Sequence, residues 1–283
     1  MPKVKNRLSG IKRSIYRSIG KTIKQLDGHI SNGIFEPNDV EVNHIKLYLP
    51  RLDRLFYGYR IVQISDIHIG TWINYKRLTG IIDIVNQHQP DLIVLTGDFV
   101  TFEPLRFADE LTSCLSKLAP HDAALAVLGN HDHWTDADVV REVLKDSNIL
   151  DLSNKFFTIN RGDEKLHIAG VDVSIEELDR LDLVLDQLPP DGAAILLAHE
   201  PDFADQSALT GRFDLQLSGH SHGGQINLPV IGIPILPPKG RKYPSGLYQI
   251  NGMSLYTNRG VGTAVMQLRW NCPPEITVFT LLV

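Results

Sequence analysis

The sequence predicts an α/β fold, because short apolar runs alternate along it with stretches of helical spacing. The apolar runs occupy residues 60–65, 92–96, 124–128, 194–198 and 215–218, and glycine or a polar residue ends each of them. Runs of this kind are typical of strands that are buried on both faces. Ile81, Ile82 and Val85 have helical spacing, and a second such stretch at 139–144 has Thr135 or Asp136 as its predicted cap. Alternating strands and helices indicate a sheet covered by helices.

Residue types that bind metals follow these predicted strands directly. They form five motifs: Asp66-Ile67-His68, Gly97-Asp98, Gly129-Asn130-His131-Asp132, the single His199, and Gly219-His220-Ser221-His222. In an α/β fold, ligands bind outside the carboxyl ends of the strands. All five motifs fall at that end, so we expect their side chains to meet in one site.

The motifs supply the ligands that a two-metal hydrolase needs. Two divalent metals about 3.5–4 Å apart can clamp the attacking and the leaving oxygen of a phosphoryl group. Such a pair needs a bridging carboxylate and further oxygen and imidazole ligands. The candidate metal ligands are Asp66, His68, Asp98, Asn130, His199, His220 and His222. Residues two apart point the same way on an extended chain, which suits both Asp66/His68 and His220/His222. Glycines 97, 129 and 219 are expected to let the backbone turn sharply there.

Two residues of the third motif are predicted to be catalytic. His131 is not needed as a ligand, and an imidazole beside a metal pair is well placed to protonate a leaving oxygen. Asp132 is expected to orient that imidazole. For His133, a role in the site and a packing role with Trp134 both stay open.

The ordered motifs D-x-H, GD, GNH[DE], H and GHxH resemble those of the calcineurin-like metallophosphoesterases, over about residues 58–283. The resemblance implies a four-layer α/β/β/α sandwich. It implies one metal on Asp66, His68, Asp98 and His222, and a second on Asp98, Asn130, His199 and His220, with Asp98 bridging and His131 as the catalytic acid. We expect two divalent ions, with manganese first and zinc, iron, cobalt or magnesium as alternatives.

Further segments narrow the resemblance to the bacterial phosphodiesterase branch that includes YaeI and YkuE. These segments are residues 219–225, 259–262 and 269–275. Chlamydial-type UDP-2,3-diacylglucosamine hydrolases look similar at this level. Three further residues are candidates for binding the substrate phosphate: Arg241, Tyr243 and Arg259. The donor groups of an arginine side chain match the oxygens of a phosphate. A surface or packing role for these three stays open.

The N-terminus is basic and amphipathic. Residues 1–24 hold eight basic side chains and no acidic one, whereas residues 25–283 carry a formal charge of −13. Apolar residues recur every three or four positions from Val4 to Leu26, which predicts a helix with a cationic face over residues 1–27. The pattern favours contact of residues 1–26 with an anionic membrane surface. A tail packed on its own domain is the alternative. Nucleic acid is disfavoured, because the acidic body would repel its phosphates.

The rest of the chain divides simply. Residues 28–39 are rich in glycine, asparagine and proline and predict a linker, and residues 40–283 form the catalytic domain, beginning with an edge strand at 40–49. The apolar, proline-rich segment 229–238, called the lip below, cannot be regular structure throughout. We expect it either to receive an acyl chain near the metals or to be a buried loop.

The location and function follow from these features. No stretch has the length of a membrane span, there is no secretory h-region, and the two cysteines are too few for a disulfide framework. We expect a cytoplasmic enzyme, peripheral on the inner face of the cell membrane, that hydrolyses a phosphodiester or pyrophosphate bond of a lipid-linked substrate such as UDP-2,3-diacylglucosamine. The alternatives are a general phosphodiesterase or phosphomonoesterase on soluble substrates, and a non-catalytic scaffold.

Overall fold

A computed structural model describes residues 40–264 and 266–283. The predicted basic helix at 1–27 and the linker at 28–39 lie outside the described residues, so both stay predictions.

Within the described part of the chain, two six-stranded sheets form the centre of the domain. The strands of the first sheet, in spatial order, are β1 (Glu41–Tyr48), β12 (Glu275–Leu282), β2 (Arg60–Ile64), β3 (Leu92–Thr96), β4 (Ala123–Val127) and β5 (Leu150–Asp151). Those of the second sheet are β10 (Gly246–Ile250), β11 (Met253–Thr257), β9 (Leu215–Ser218), β8 (Ala193–Leu197), β7 (Glu164–Gly170) and β6 (Lys155–Arg161). The strands β2 to β5 are parallel to one another, and so are β7, β8, β9 and β11.

Most of the α-helices in the described residues cover the outer faces of the two sheets. The α-helices are α1 (Tyr75–Gln87), α2 (Pro104–Leu115), α3 (Asn130–Thr135), α4 (Ala137–Asp146), α5 (Leu181–Gln187) and α6 (Ala204–Ser207). Apolar side chains of α1, α2 and α4 form one core with the first sheet. Those of α5 and α6 form another with the second sheet.

A third core lies between the sheets. Because side chains alternate across a strand, Leu92 and Val94 of β3 face this inner core, whereas Ile93 and Leu95 face the helices. Leu215 and Leu217 of β9 meet them from the second sheet. The order is therefore helix, sheet, sheet, helix, and the predicted α/β fold with four layers is confirmed.

The local predictions also agree with the structure. The five predicted strands correspond to β2, β3, β4, β8 and β9, within one residue at either end. The predicted edge strand is β1, which lies at the edge of the first sheet. Asp136, rather than Thr135, caps α4, since its side chain accepts a hydrogen bond from the N–H of Val139. None of the helices in the described residues is long and apolar enough to cross a membrane.

Candidate metal centre

The seven predicted ligands converge at the carboxyl ends of β2, β3, β4, β8 and β9. Each of these residues lies in the segment that follows one of these strands, and all seven side chains are buried. Because the two sheets end at the same place, loops of both contribute to one site. The expectation that the motifs meet is therefore fulfilled by the geometry.

Four of the side chains form a first ligand set. Asp66, His68, Asp98 and His222 each offer one ligand atom, and these atoms all lie within 4.8 Å of one another. His222 Nε2 is 3.2 Å from Asp66 Oδ1, and His68 Nε2 is 3.3 Å from Asp98 Oδ2. Two imidazoles and two carboxylates at this spacing suit a divalent metal.

A second set lies beside the first and shares Asp98 with it. Asp98, His199 and His220 also bring ligand atoms within 4.8 Å of one another. Asn130 completes the set, since its Oδ1 lies 3.2 Å from His199 Nε2. The same Asp98 oxygen, Oδ2, is 3.3 Å from His68 Nε2 and 3.3 Å from His199 Nε2. Asp98 therefore lies between the two sets, where a bridging carboxylate belongs.

Hydrogen bonds select which nitrogen of each histidine faces the centre. His68 Nδ1 is 2.9 Å from Thr101 Oγ1, and His199 Nδ1 donates to the carbonyl of Thr96 at 2.6 Å, so Nε2 remains free in both. His220 is reversed: its Nε2 donates to the carbonyl of Pro238 at 2.8 Å, which leaves Nδ1. Partners of this kind fix the ring orientation of metal-binding histidines.

His222 lacks such an acceptor at short range in the described residues. Its Nδ1 lies 3.4 Å from Arg269 Nη2, and that nitrogen has nearer carbonyl acceptors on Arg259 and Gly262. Its Nε2 faces Asp66.

The protonation states suit a cation. Burial opposes ionisation of Asp98, but His199 and His131 outweigh it and hold the pKa of this carboxyl well below its usual range. Burial lowers the pKa of His68 to about 4, so its imidazole is neutral at pH 7. For His199, Asp98 outweighs burial and raises the pKa, so a bound cation would displace a proton there.

Much of the centre is built on unusual backbone. Asp66, His68, Asp98, His220 and His222 all have φ between 49° and 68°, in the left-handed region that non-glycine residues rarely adopt. Each such residue costs about 1 kcal/mol or more, and this strain is typical of functional sites. The donor chemistry, the shared carboxylate and this conformation fit two divalent cations.

We expect metal binding to stabilise the domain. A site occupied at about 100 times the dissociation constant gains about 2.7 kcal/mol. For a domain of this size, that corresponds to a rise in Tm of about 5–10 °C. Thermal unfolding of the metal-stripped chain with and without added Mn²⁺ measures it. An unchanged Tm at saturating Mn²⁺ would contradict binding at these residues, and Ca²⁺ serves as the control because it prefers larger all-oxygen sites.

Two of the three motif glycines let the backbone pack closely against the candidate ligand loops, and only Gly97 has the backbone conformation of a sharp turn. Gly97 has a φ of 93°, as the sequence suggested, but Gly129 and Gly219 have ordinary φ values. A Cβ at Gly129 would lie 2.2 Å from Asp98 Oδ1, and one at Gly219 would lie 1.9 Å from Ser65 Oγ. The backbone of both residues therefore packs directly against the ligand loops.

His131 faces the centre from the start of α3. Its ring centroid is 4.8 Å from that of His68 and 4.9 Å from that of Trp134, and it lines the cavity in front of the ligands. Its backbone N–H donates to Asp98 Oδ1 at 2.8 Å. The imidazole is therefore beside the first ligand set without belonging to it, and its role as a catalytic acid stays a prediction.

The contacts of Asp132 differ from the prediction that it orients His131. Its buried carboxylate accepts hydrogen bonds from the backbone N–H groups of Asp98, Phe99, Val100 and Gly129, at 2.9–3.3 Å. The carboxylate lies below the Asp98 loop, so it fixes the shared ligand rather than the imidazole. Burial and the neighbouring Asp98 raise the pKa of Asp132 to about 7, while the N–H donors favour the charged form.

The variant Asp132→Asn distinguishes a role in holding the Asp98 loop from a role in orienting His131. The amide would place N–H donors against backbone N–H donors, and leaving buried groups unpaired costs about 1–3 kcal/mol each. We therefore expect a lower Tm and weaker Mn²⁺ binding together with lost turnover, measured by calorimetry and metal analysis. A variant with lost turnover but unchanged Tm and metal content would instead support the predicted contact with His131.

The candidate phosphate-binding residues lie in different places. Arg241 lines the cavity. The hydroxyl of Tyr243 donates to Asp205 at 2.8 Å, and Arg259 forms ion pairs with Glu275 and Glu41. Both of these side chains are thus held by carboxylates. His133 Nε2 lies 2.7 Å from Asp172 Oδ1, so a carboxylate outside the two ligand sets holds this ring.

Arg269 is a site residue that the sequence analysis did not single out. Its buried guanidinium donates to the carbonyls of Arg259, Gly260 and Gly262. It thereby holds this loop against Asp66, since a Cβ at Gly260 would lie 2.6 Å from Asp66 Cβ. The sequence does contain a feature that points to Arg269, because the segments 259–262 and 269–275 both belong to the family resemblance.

A cavity of about 690 Å³ opens onto the centre. The candidate ligands Asp98, Asn130, His220 and His222 line it together with His131. The rest of the lining is mainly apolar and includes Trp134, Met266 and the lip residues Ile233 to Pro238. The lip is irregular, as predicted, and is tied to the centre by the hydrogen bond from His220 to Pro238.

Comparison with known proteins agrees with this geometry. The model of the family described as calcineurin-like phosphoesterases matches residues 59–224. The chain belongs to this family. As a calcineurin-like phosphoesterase, it is a metal-dependent hydrolase of phosphoric esters, and its clustered aspartates and histidines are able to bind a metal ion.

Two bacterial proteins are among the relatives of this calcineurin-like phosphoesterase. It is 36% identical to the uncharacterized metallophosphoesterase YkuE of Bacillus subtilis, over 87% of each chain. It is 30% identical to the phosphodiesterase YaeI of Escherichia coli, over 79% of this chain and 82% of the relative. The predicted branch is thereby confirmed. Among solved structures, a sulfate thiohydrolase, SoxB, of Thermus thermophilus is similar with a TM-score of 0.49 and 12% identity, over 80% of this chain and 57% of that chain.

Proposed function

We propose that the chain hydrolyses a phosphodiester or pyrophosphate bond of a lipid-linked substrate, using two divalent ions with manganese as the first choice. The observation that carries the two-ion proposal is the position of Asp98 Oδ2, which is 3.3 Å from a histidine nitrogen of each ligand set. A carboxylate oxygen between two imidazoles of different sets suits a bridge. One ion would be held by Asp66, His68, Asp98 and His222, the other by Asp98, Asn130, His199 and His220.

The chain's own residues divide the remaining work. When bound, the ions supply Lewis-acid stabilisation of the charge on the phosphoryl oxygens. His131, at the cavity wall, donates a proton to the leaving oxygen. Asp132 holds the Asp98 loop, and the hydrogen bonds of His68, His199 and His220 fix their rings for binding. Arg241 is placed to bind an anionic group of the substrate at the cavity wall.

The apolar wall supports a substrate with a hydrocarbon part. Ile235, Leu236 and Met266 face the same cavity as His131, so a phosphate at the centre would leave its attached group against them. A binding cavity lined this way favours a ligand with apolar as well as charged parts. A nucleotide-activated acylated sugar such as UDP-2,3-diacylglucosamine has both. This supports the lip as an acyl-binding wall.

Attachment to a membrane would bring such a substrate to the site. Residues 1–26 carry the cationic, amphipathic pattern of an interfacial helix, so we place the protein on the cytoplasmic side of an anionic membrane. The activity named for YaeI, phosphodiester hydrolysis, supports the reaction class. A scaffold without activity is disfavoured, because every ligand position is filled by a metal-binding residue.

The test compares diester with monoester hydrolysis. The metal-stripped chain is assayed on bis-p-nitrophenyl phosphate and p-nitrophenyl phosphate, before and after addition of Mn²⁺. We expect Mn²⁺ to restore cleavage, with the diester preferred. Lipid-linked pyrophosphates are then compared with their deacylated forms, with and without anionic vesicles. Equal turnover of both forms would support a general phosphodiesterase instead, and no cleavage with bound metal would support the scaffold.

A further inference from the structure

The tip of the lip is an apolar turn that faces solvent. Val230 and Ile231 are 108% and 73% exposed, and together with Pro229 and Gly232 they form the tip. Reciprocal backbone hydrogen bonds between Leu228 and Gly232, at 2.9 and 2.8 Å, close this turn. Val230 has a φ of 71°, which is a strained conformation for a β-branched residue. A strained backbone conformation thus accompanies the exposure of two aliphatic side chains.

The tip is continuous with the catalytic cavity. The residues that follow it, Ile233 to Pro238, line the cavity wall. Ile233 packs against the backbone of Gly224, two residues from the ligand His222, since a Cβ at Gly224 would lie 2.1 Å from Ile233 Cγ2. An apolar molecule in contact with the tip would therefore have an apolar path into the site.

The charges around the tip differ from those of the rest of the domain. The whole chain has 33 acidic residues, yet residues 215–274 contain none. The lip lies inside this segment and is followed at once by the exposed cations Lys239, Arg241 and Lys242. Of these, Lys242 is paired with Asp205. Asp202 accepts hydrogen bonds from the backbone N–H groups of Arg241 and Lys242, so carboxylates of another segment lie beside these cations. Within the described residues, the side chains of Lys239 and Arg241 form no ion pair, so the surface next to the aliphatic tip keeps two unpaired cations.

We propose that the tip inserts into an anionic lipid bilayer, with Lys239 and Arg241 against the headgroups, so that the cavity opens toward the membrane. Aliphatic side chains beside cations are the composition of surfaces that bind at membrane interfaces. This deepens the proposed membrane association, since it assigns a contact to the folded domain in addition to residues 1–26.

A single-site fluorescent label reports the insertion directly. Cys114 and Cys272 are both buried, so a cysteine introduced by Ile231→Cys can be labelled selectively with an environment-sensitive dye in the full chain. The matched control is Leu209→Cys. Leu209 is 77% exposed and lies in the segment between α6 and β9. This segment leads into the amino end of β9, whereas the candidate ligands follow its carboxyl end. Labelling of the unmutated chain gives the background.

We expect the dye at residue 231, and not at residue 209, to shift its emission to the blue on vesicles of phosphatidylglycerol and phosphatidylcholine. Phosphatidylcholine alone should give a smaller shift. No shift at residue 231, or equal shifts at both residues, would overturn the proposal. A blue shift without vesicles that grows with protein concentration would place a second copy of the chain on the tip, and would also overturn it.

Substitution gives an independent measure. The double variant Val230→Asp, Ile231→Asp should lose vesicle affinity by about tenfold or more, because two aliphatic side chains no longer leave water. Leu209→Asp should change it little. Hydrolysis of bis-p-nitrophenyl phosphate by both variants shows whether the metal centre is intact, so failure of the tip is distinguished from failure of the proposed reaction. Unchanged affinity of the double variant would contradict insertion.

Discussion

Asp98→Ala is expected to remove bound manganese and hydrolysis together. Asp98 Oδ2 lies between the two ligand sets, and its loss leaves His68 and His199 facing each other without a negative charge. Both sets then lose a ligand at once. We expect bound metal to fall below one ion per chain and turnover of bis-p-nitrophenyl phosphate to fall by about 10⁴-fold or more, since metal catalysis supplies most of the rate.

The matched control is Asp138→Ala, which removes an aspartate that is 92% exposed on α4. It should leave metal content and turnover close to those of the unchanged chain, because exposed ion pairs contribute little. Full metal content in Asp98→Ala would show that the two sets bind independently of this carboxylate.

His131→Ala is expected to separate chemistry from metal binding. The imidazole faces the cavity beside His68 but is not part of either ligand set. Loss of a general acid lowers turnover by about 10²–10⁴-fold. Metal content and Tm should stay near those of the unchanged chain, because the backbone N–H of residue 131 still donates to Asp98.

Metal analysis, calorimetry and steady-state kinetics on the same preparation of His131→Ala measure this. His121→Ala is the control, as it removes a histidine that is 73% exposed on a loop. If His131→Ala loses metal to the same extent as Asp98→Ala, His131 is a ligand and its assignment as an acid is incorrect. A leaving group that needs no proton, such as p-nitrophenolate, should show a smaller loss than an alkyl leaving group.

The sequence predicted the strands, and the convergence of the side chains that follow them, for a physical reason. Buried strands such as β3 must be apolar on both faces, so the change to Gly97 and Asp98 marks the strand end clearly. Because parallel strands end together, five such ends predict one site. The spacing within Asp66-x-His68 and His220-x-His222 also predicted that both members of each pair reach the site, and all four residues are candidate ligands. The predicted reason was wrong, because the backbone of these residues is left-handed rather than extended.

The contacts of Asp132 and Arg269 could not be predicted in the same way. Asp132 is next to His131 in the chain, but the start of α3 turns its carboxylate toward the Asp98 loop, 34 residues away in sequence. Arg269 binds carbonyls seven to ten residues earlier, across an irregular segment. Neither contact follows a helix or strand period, so only the folded arrangement shows it.

The number of metal ions bound per chain tests the central claim most directly. The metal-stripped chain is reconstituted with Mn²⁺, separated from free ions by gel filtration, and analysed for manganese and protein. We predict two ions per chain for the unchanged sequence, with activity that follows the occupancy of both. One ion per chain at full activity would contradict the assignment of Asp98 as the residue shared by two metals.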